Sequence, residues 1–260
     1  METGAPLYYS WAGDGNSLLL HNGPEVKLVR GLSGRHSGQV IATAQGFQVP
    51  AFSRDSSHIA YSQRTGSGES LFVAEADNLT QSNQVMQLGA FSAFMWSPDG
   101  RQLAVADQQS PNSTIFERLQ IISVDGSSVH TIAKGLLLAF YWSPDGGRIA
   151  WVELDQEEQR FDWKVANSVP NGPDRVRPLF SFYPSRDVLT MLSFFDQYAY
   201  SHSPWSPDSS RLVVAGTQAM PFERRNGHTP TGARVFVLDV AGDVSPQEIA
   251  EGTLDFWSWN

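Results

Sequence analysis

The chain has 260 residues, a formal net charge of −9, 41% hydrophobic residues and 12% aromatic residues. This much apolar material excludes global disorder. The acidic balance argues against binding to nucleic acid phosphates or anionic lipids, which need clustered Lys and Arg. No stretch approaches the ~20 consecutive apolar residues of a membrane span. The absence of cysteine excludes a disulfide scaffold and thiolate metal chemistry.

One short motif recurs five times along the chain. In chain order the copies are Trp11-Ala12-Gly13-Asp14-Gly15, Phe52-Ser53-Arg54-Asp55-Ser56, Trp96-Ser97-Pro98-Asp99-Gly100, Trp142-Ser143-Pro144-Asp145-Gly146 and Trp205-Ser206-Pro207-Asp208-Ser209. Their aspartates are separated by 41, 44, 46 and 63 residues. Three of these gaps are close to the ~40–45 residues of one propeller blade. The repeat therefore predicts a β-propeller, with a β-sandwich of similar hairpins as the alternative.

Each motif has the composition of a tight turn between two strands. Pro sets the backbone angle at the second turn position, Asp bonds to nearby amides, and Gly tolerates the exit geometry. Apolar residues follow at the fourth and sixth positions after each aspartate, as at Leu103 and Val105. This spacing of two indicates a strand with one buried face. We expect the indole before each turn to fill the wedge between adjacent sheets.

These hairpins resemble the WD40-like Pro-Asp repeat of the propeller domain of TolB and of bacterial TolB-like proteins. The resemblance extends over nearly the whole chain and implies a single domain over residues 1–260, built from four-stranded antiparallel blades. It implies the six-bladed type with an incomplete last blade, because Phe256-Trp257-Ser258-Trp259 resembles the opening of a sixth repeat. It also implies a periplasmic or extracytoplasmic protein, although the start of the chain has no signal peptide pattern and a cytoplasmic location stays open.

The interval between Asp145 and Asp208 carries about 20 residues more than a blade needs. Within it, Ser185 is placed to cap a short helix whose apolar residues follow helical spacing. Chain direction alternates in a blade, so this insertion shares a face with the long loops around residues 107–116 and 217–232. Candidate partner-binding residues on that face are Phe116, Phe195, Tyr198, His202, Met220, Phe222, Arg224, Arg225 and His228.

The sequence contains none of the common catalytic signatures for serine nucleophiles, zinc pairs, phosphate loops or dinucleotides. Its six histidines are scattered, and we expect neither a metal nor a cofactor. The leading hypothesis is a non-catalytic binding propeller that docks a protein or peptide on its loop-rich face. One alternative is a hydrolase or lyase at the channel mouth, either metal-assisted or using His202 with Asp196 or Asp255. Another is a regulatory propeller of a larger enzyme or transport protein.

Overall fold

A computed structural model describes residues 7–35, 37–46, 48–110, 113–169, 176–219 and 232–257. The chain divides into two compact units, Met1–Lys134 and Gly135–Asn260. Both consist mainly of antiparallel strands, which confirms the predicted all-β architecture. The number of blades and the single domain stay predictions.

The first unit contains a series of antiparallel sheets whose strands follow one another along the chain. Its strands are β1 Leu7–Trp11, β2 Ser17–Asn22, β3 Glu25–Arg30, β4 Ser37–Thr43, β5 Ala51–Phe52, β6 His58–Thr65, β7 Gly68–Glu75, β8 Asn78–Gln87, β9 Ser92–Trp96, β10 Gln102–Asp107 and β11 Phe116–Ser123. Strands β1 to β4 form one four-stranded sheet and β5 to β8 another. Apolar side chains pack between consecutive sheets, as Leu19 does with Ile59 and Leu71 with Phe94.

The strand β12, Val129–Trp142, begins in the first unit and ends in the second. The second unit continues with β13 Arg148–Asp155, β14 Arg160–Asn167, β15 Arg177–Pro184, the helices α1 Arg186–Ser193 and α2 Phe195–Tyr198, and then β16 Arg211–Gln218, β17 Arg234–Asp239 and β18 Gln247–Glu251. The helices confirm the predicted insertion, and the Ser185 side chain accepts a hydrogen bond from Val188 N as the expected cap. The described part of the proposed sixth repeat, up to Trp257, forms no strand.

The repeated turns are held by their own side chains. In the third copy, Ser97 Oγ donates to Asp99 Oδ1 at 2.6 Å and accepts from Gln102 N, while Arg101 N donates to the same carboxylate. The position after the aspartate has a positive φ, +69° at Gly100 and +62° at Ser209, where Gly has no steric cost. The equivalent hydrogen bonds in the second and fifth copies lower the pKa of Asp55 and of Asp208 to about 2. The carboxylates therefore act as charged acceptors within the turns.

Within each unit, the tryptophan of one repeat binds the backbone of the preceding repeat. Trp96 Nε1 donates to Ala51 O and Trp205 Nε1 donates to Tyr141 O, both at 3.0 Å. Each acceptor is the residue just before the aromatic residue of the earlier motif. The indoles therefore join consecutive repeats by a hydrogen bond as well as by apolar contact. Trp11 differs, because its side chain is 55% exposed.

Replacing Trp205 by Phe is expected to destabilise the protein by about 1–3 kcal/mol, since Tyr141 O would lose its donor in a buried setting. Trp205 is fully buried, so water cannot replace that donor. Urea unfolding measures the loss. The matched control is Trp11→Phe, for which a change within about 0.5 kcal/mol is expected at an exposed position. Equal effects at the two positions would contradict the structural role given to the buried indole.

Candidate functional site

The inner strand that should precede β16 is interrupted by the helical insertion. The end of β15 pairs with the far half of β16, where Pro184 lies opposite Gly216. The chain then leaves the sheet and returns to form a single bridge between Trp205 and Leu212. In the third repeat the equivalent strand β9 pairs with β10 without a break, from Ser92 to Trp96. Residues 185–203 are thus inserted into the middle of a strand.

A carboxylate fills the gap that this interruption leaves. Alternate N–H groups of an antiparallel strand point to the same neighbour. Val213 N donates to Pro204 O at 2.9 Å, so the N–H of Ala215 points to the side where the inner strand is missing. Asp255 Oδ1 accepts that hydrogen bond at 2.7 Å. A side-chain oxygen therefore replaces a backbone carbonyl of the sheet.

Asp255 lies at a small cavity beneath α1. The cavity has a volume of about 20 Å³, and its lining comprises Tyr141, Trp163, Val188, Met191, Leu192, His202, Pro204 and Asp255. A water molecule needs ~10–15 Å³, so the space accepts one water and no larger ligand. The Nε1 atom of Trp163 is buried and has no hydrogen-bond partner among the described residues. The cavity lining thus contains both the indole of Trp163 and the carboxylate of Asp255, a donor and an acceptor.

Burial changes the acidity of three groups in this part of the second unit. It raises the pKa of Asp255 from 3.8 to about 7, against the opposing effect of the Ala215 hydrogen bond. It also raises the pKa of Asp196 to about 6. The pKa of Tyr141 is raised first by burial and then by the charge of Asp255. Two carboxyl groups therefore change charge near neutral pH, a property that is common at functional sites.

Aromatic rings are exposed on the insertion and on the residues that follow β18. Phe194, Tyr198, Tyr200 and Phe256 are between 37% and 55% exposed, and we name them the aromatic surface. His202 connects its two parts, with its ring 5.8 Å from that of Tyr198 and 4.6 Å from that of Phe256. Ser201 Oγ lies 2.7 Å from His202 Nδ1 and fixes the ring orientation. Exposed clusters of large apolar side chains commonly mark interaction sites.

The candidate residues from the sequence fall into three groups. Tyr198 belongs to the aromatic surface and His202 lies beneath it, half-buried. Phe195 is buried and packs on Phe140 at 4.8 Å, and Phe116, in the first unit, is buried and stacks on Phe91 at 4.6 Å. Both rings therefore anchor their segments. The candidates that lie outside the described residues are Met220, Phe222, Arg224, Arg225 and His228.

Sequence reasoning missed the residues that complete the site. It named Asp255 only as a catalytic alternative, and it did not identify Trp163 or Phe256. No local pattern relates Asp255 to Ala215, which lies 40 residues earlier in the chain. Phe194 and Tyr200 stand in a segment whose unusual content of aromatic and polar residues is visible in the sequence.

A larger groove of about 250 Å³ lies at the turn end of β16 and β17, lined by residues that include Arg211, Asp239 and Asp243. The carboxylate of Asp239 already accepts hydrogen bonds from the backbone of its own turn, including those of Asp243 N and Val244 N. Because the Asp239 oxygens already bond within the turn, we interpret the groove as part of that turn. It is not the candidate site.

In the parts of the chain that the structure describes, no group of three or more His, Cys, Asp or Glu side chains is arranged to hold a metal ion. None of the helices among those residues is both long and apolar enough to cross a bilayer.

We expect the Asp196→Asn variant to be more stable than the parent at pH 8 and similar to it at pH 3.5, below the unfolded pKa of 3.8. A pKa raised from 3.8 to about 6 means that the parent loses stability as pH rises through 6. The difference at pH 8 should be on the order of 1 kcal/mol after solvent screening. Urea unfolding at both pH values measures it, with Glu158→Gln in an exposed turn as the control. A stability difference that does not change with pH would contradict the assignment.

Comparisons with known proteins give the fold. No protein-family model matches the sequence, and no curated protein matches it. TolB from Acinetobacter baumannii matches 91% of this chain with a TM-score of 0.52 and 15% identity. The β-propeller domain of the Trilobed protease from Pyrococcus furiosus matches 95%, with 0.53 and 13%. An oligogalacturonate lyase in complex with manganese matches 94%, with 0.58 and 13%.

These matches cover 52%, 72% and 64% of the three proteins, so the chain spans about half the length of the Acinetobacter TolB. Since every identity is below 25%, the likeness concerns the fold alone. The similar structures include a lyase and a protease domain, so the fold does not decide the activity. The chain has the fold of a TolB-like β-propeller.

Proposed function

We propose that the chain is a non-catalytic binding propeller that docks a protein or peptide partner on the aromatic surface. The observation that carries this proposal is the exposure of four large rings on one insertion and the segment packed against it. Tyr and Phe are enriched at protein interfaces, where they supply large contact area.

The support beneath the aromatic surface favours a binding role. Phe195 packs on both Phe140 and Tyr141, which attaches α2 to β12. Val188 and Leu192 are the buried residues of α1. The exposed rings are therefore presented on a fixed base, and a rigid binding surface loses little conformational entropy when it binds.

The loop between β16 and β17 supplies further candidates. Gly216 pairs with Pro184 at the point where the chain enters the insertion, and β16 ends two residues later at Gln218. β16 therefore ends close to the point where the insertion begins, and the residues that follow it in the sequence include Phe222, Arg224, Arg225 and His228. Guanidinium groups there would fork onto a carboxylate of a partner.

Affinity capture from the source cells tests the proposal with the quadruple variant Phe194→Ser/Tyr198→Ala/Tyr200→Ser/Phe256→Ala. We expect it to lose specific partners by at least about tenfold, because interface aromatic residues contribute about 2 kcal/mol or more each at binding hot spots. A second variant, Arg224→Ala/Arg225→Ala, measures the contribution of the neighbouring loop.

The matched control is Ile249→Ser in β18, which removes an equally exposed apolar side chain from the same unit. Circular dichroism verifies that each variant is folded. If the quadruple variant captures the same partners in the same amounts as the parent, the aromatic surface is not the binding site.

A hydrolase or lyase is the second candidate function, and one observation favours it: His202 and Asp255 line the same cavity. Because the cavity accepts only one water, a substrate would require α1 to move. Polysaccharide and peptide hydrolysis assays on the parent and on His202→Ala test this function. Turnover that depends on His202 would replace the binding proposal.

We also propose a cellular location for the chain and a role within a larger protein. The resemblance of the repeats to TolB favours a periplasmic or extracytoplasmic location, which fractionation of the source cells tests. The role of a regulatory propeller in a larger enzyme or transport protein remains a further proposal, since the chain matches only 52% of the Acinetobacter TolB.

A further inference from the structure

The residues after β18 are held on the insertion by contacts at several points. We name residues 253–257 the C-terminal segment. Thr253 O accepts a hydrogen bond from Ser185 Oγ, and Trp257 N donates to Ser203 O at 3.4 Å. Between them, Asp255 binds Ala215 N and the ring of Phe256 contacts His202. The segment thus spans both ends of the insertion.

This attachment decides whether the aromatic surface is complete. Phe256 is the one member of that surface that the C-terminal segment supplies, and its partner ring His202 also contacts Tyr198. If the segment detached, Phe256 would leave and the ring contact on His202 would be lost. Among the contacts that hold the segment, the bond to Ala215 is the only one made by an ionisable side chain of the segment within the part of the chain that the structure describes.

We propose that the C-terminal segment is a proton-controlled latch: it stays seated in the strand gap while Asp255 is protonated, and ionisation of the carboxyl releases it together with Phe256. A neutral carboxyl keeps the contact, because its carbonyl oxygen still accepts the hydrogen bond from Ala215 N. This regulation rests on the proposed function of the aromatic surface, although the latch itself is a property of the isolated protein.

The energetics support the direction of the switch. Burial raises the pKa of Asp255 from 3.8 to about 7 in the seated segment. A detached segment would place the carboxyl in water, where its ordinary pKa returns. Stability of the seated form is therefore fully present below pH 3.8 and is lost as pH rises through 7. The segment is therefore held most tightly in acid, and its attachment weakens as the pH rises until it exceeds about 7.

Two other ionisable side chains face Asp255 from neighbouring elements. The strand β12 presents Tyr141, whose raised pKa keeps it neutral. The loop before β16 presents the imidazole of His202. The helix α1 faces the cavity with apolar side chains, β14 with the indole of Trp163, and β16 with a backbone N–H. Within the described chain, the cavity lining contains no Lys or Arg that compensates a charged Asp255.

Hydrogen exchange measured by mass spectrometry on the isolated protein at pH 6 and pH 8 tests the latch, after correction for intrinsic exchange rates. In the parent, protection of the C-terminal segment and of Ala215 N should fall about tenfold between the two pH values, because the seated and detached states then differ by one proton. In Asp255→Asn, which keeps the acceptor oxygen and cannot ionise, protection should remain the same within about twofold. Glu158→Gln is the control and should behave as the parent.

A second variant guards against a substitution that disturbs folding. Phe256→Ala keeps the carboxyl and removes the ring contact, so protection should be lower at both pH values while the tenfold change persists. Constant protection in the parent overturns the latch, and so does a pH response that survives in Asp255→Asn, which would assign it to His202. No partner is used, so a failed latch and a failed binding surface are told apart by this experiment and the affinity capture.

Discussion

The hydrogen bond from a motif indole to the backbone of the preceding sheet is the constraint on which each unit depends. Trp96 and Trp205 both reach the carbonyl just before the aromatic residue of the earlier motif, at the same distance of 3.0 Å. This contact sets the spacing of consecutive sheets, and the Ser–Asp turn next to it sets where the following strand starts. Because the indole and the turn both fix the C-terminal end of the inner strand, the loops at the opposite end are under no such constraint.

The insertion between β15 and β16 shows how much change this arrangement tolerates. Trp205 keeps its hydrogen bond to Tyr141 although most of its strand has been replaced by two helices. The replacement leaves one N–H of β16 without a strand partner, and a buried unpaired N–H costs about 1–3 kcal/mol. Asp255 satisfies it, but at the cost of burying a group that prefers to be charged in water. The strand gap and the raised pKa of Asp255 are therefore one structural feature.

Sequence patterns predicted the turns, strands and helix that depend on residues close together in the chain. The motif predicted turns and flanking strands because Ser97, Asp99 and Gly100 bond within six residues of one another. Ser185 with the apolar spacing after it predicted α1, since a cap and a helical face are local. The role of Asp255 was not predictable, because its partner Ala215 lies on another strand. Phe195 was expected at a binding face and is buried, since the ring of Phe140 covers it. Phe195 follows the same helical spacing of apolar residues that predicted α1, and this spacing also indicates a buried position.

Asp255 and the aromatic surface lie next to each other but differ in their preference for water. Ionisation of Asp255 is favoured by water, whereas the exposed rings are stabilised when water is excluded. The rings of Phe194 and Tyr200 expose apolar area that a partner would cover with a gain in free energy. The seated C-terminal segment is less stable when Asp255 ionises, and the same segment carries Phe256. Asp255 lines the cavity, while the next residue, Phe256, is 48% exposed. In the proposed latch, a change of charge on the inner side therefore changes the surface on the outer side.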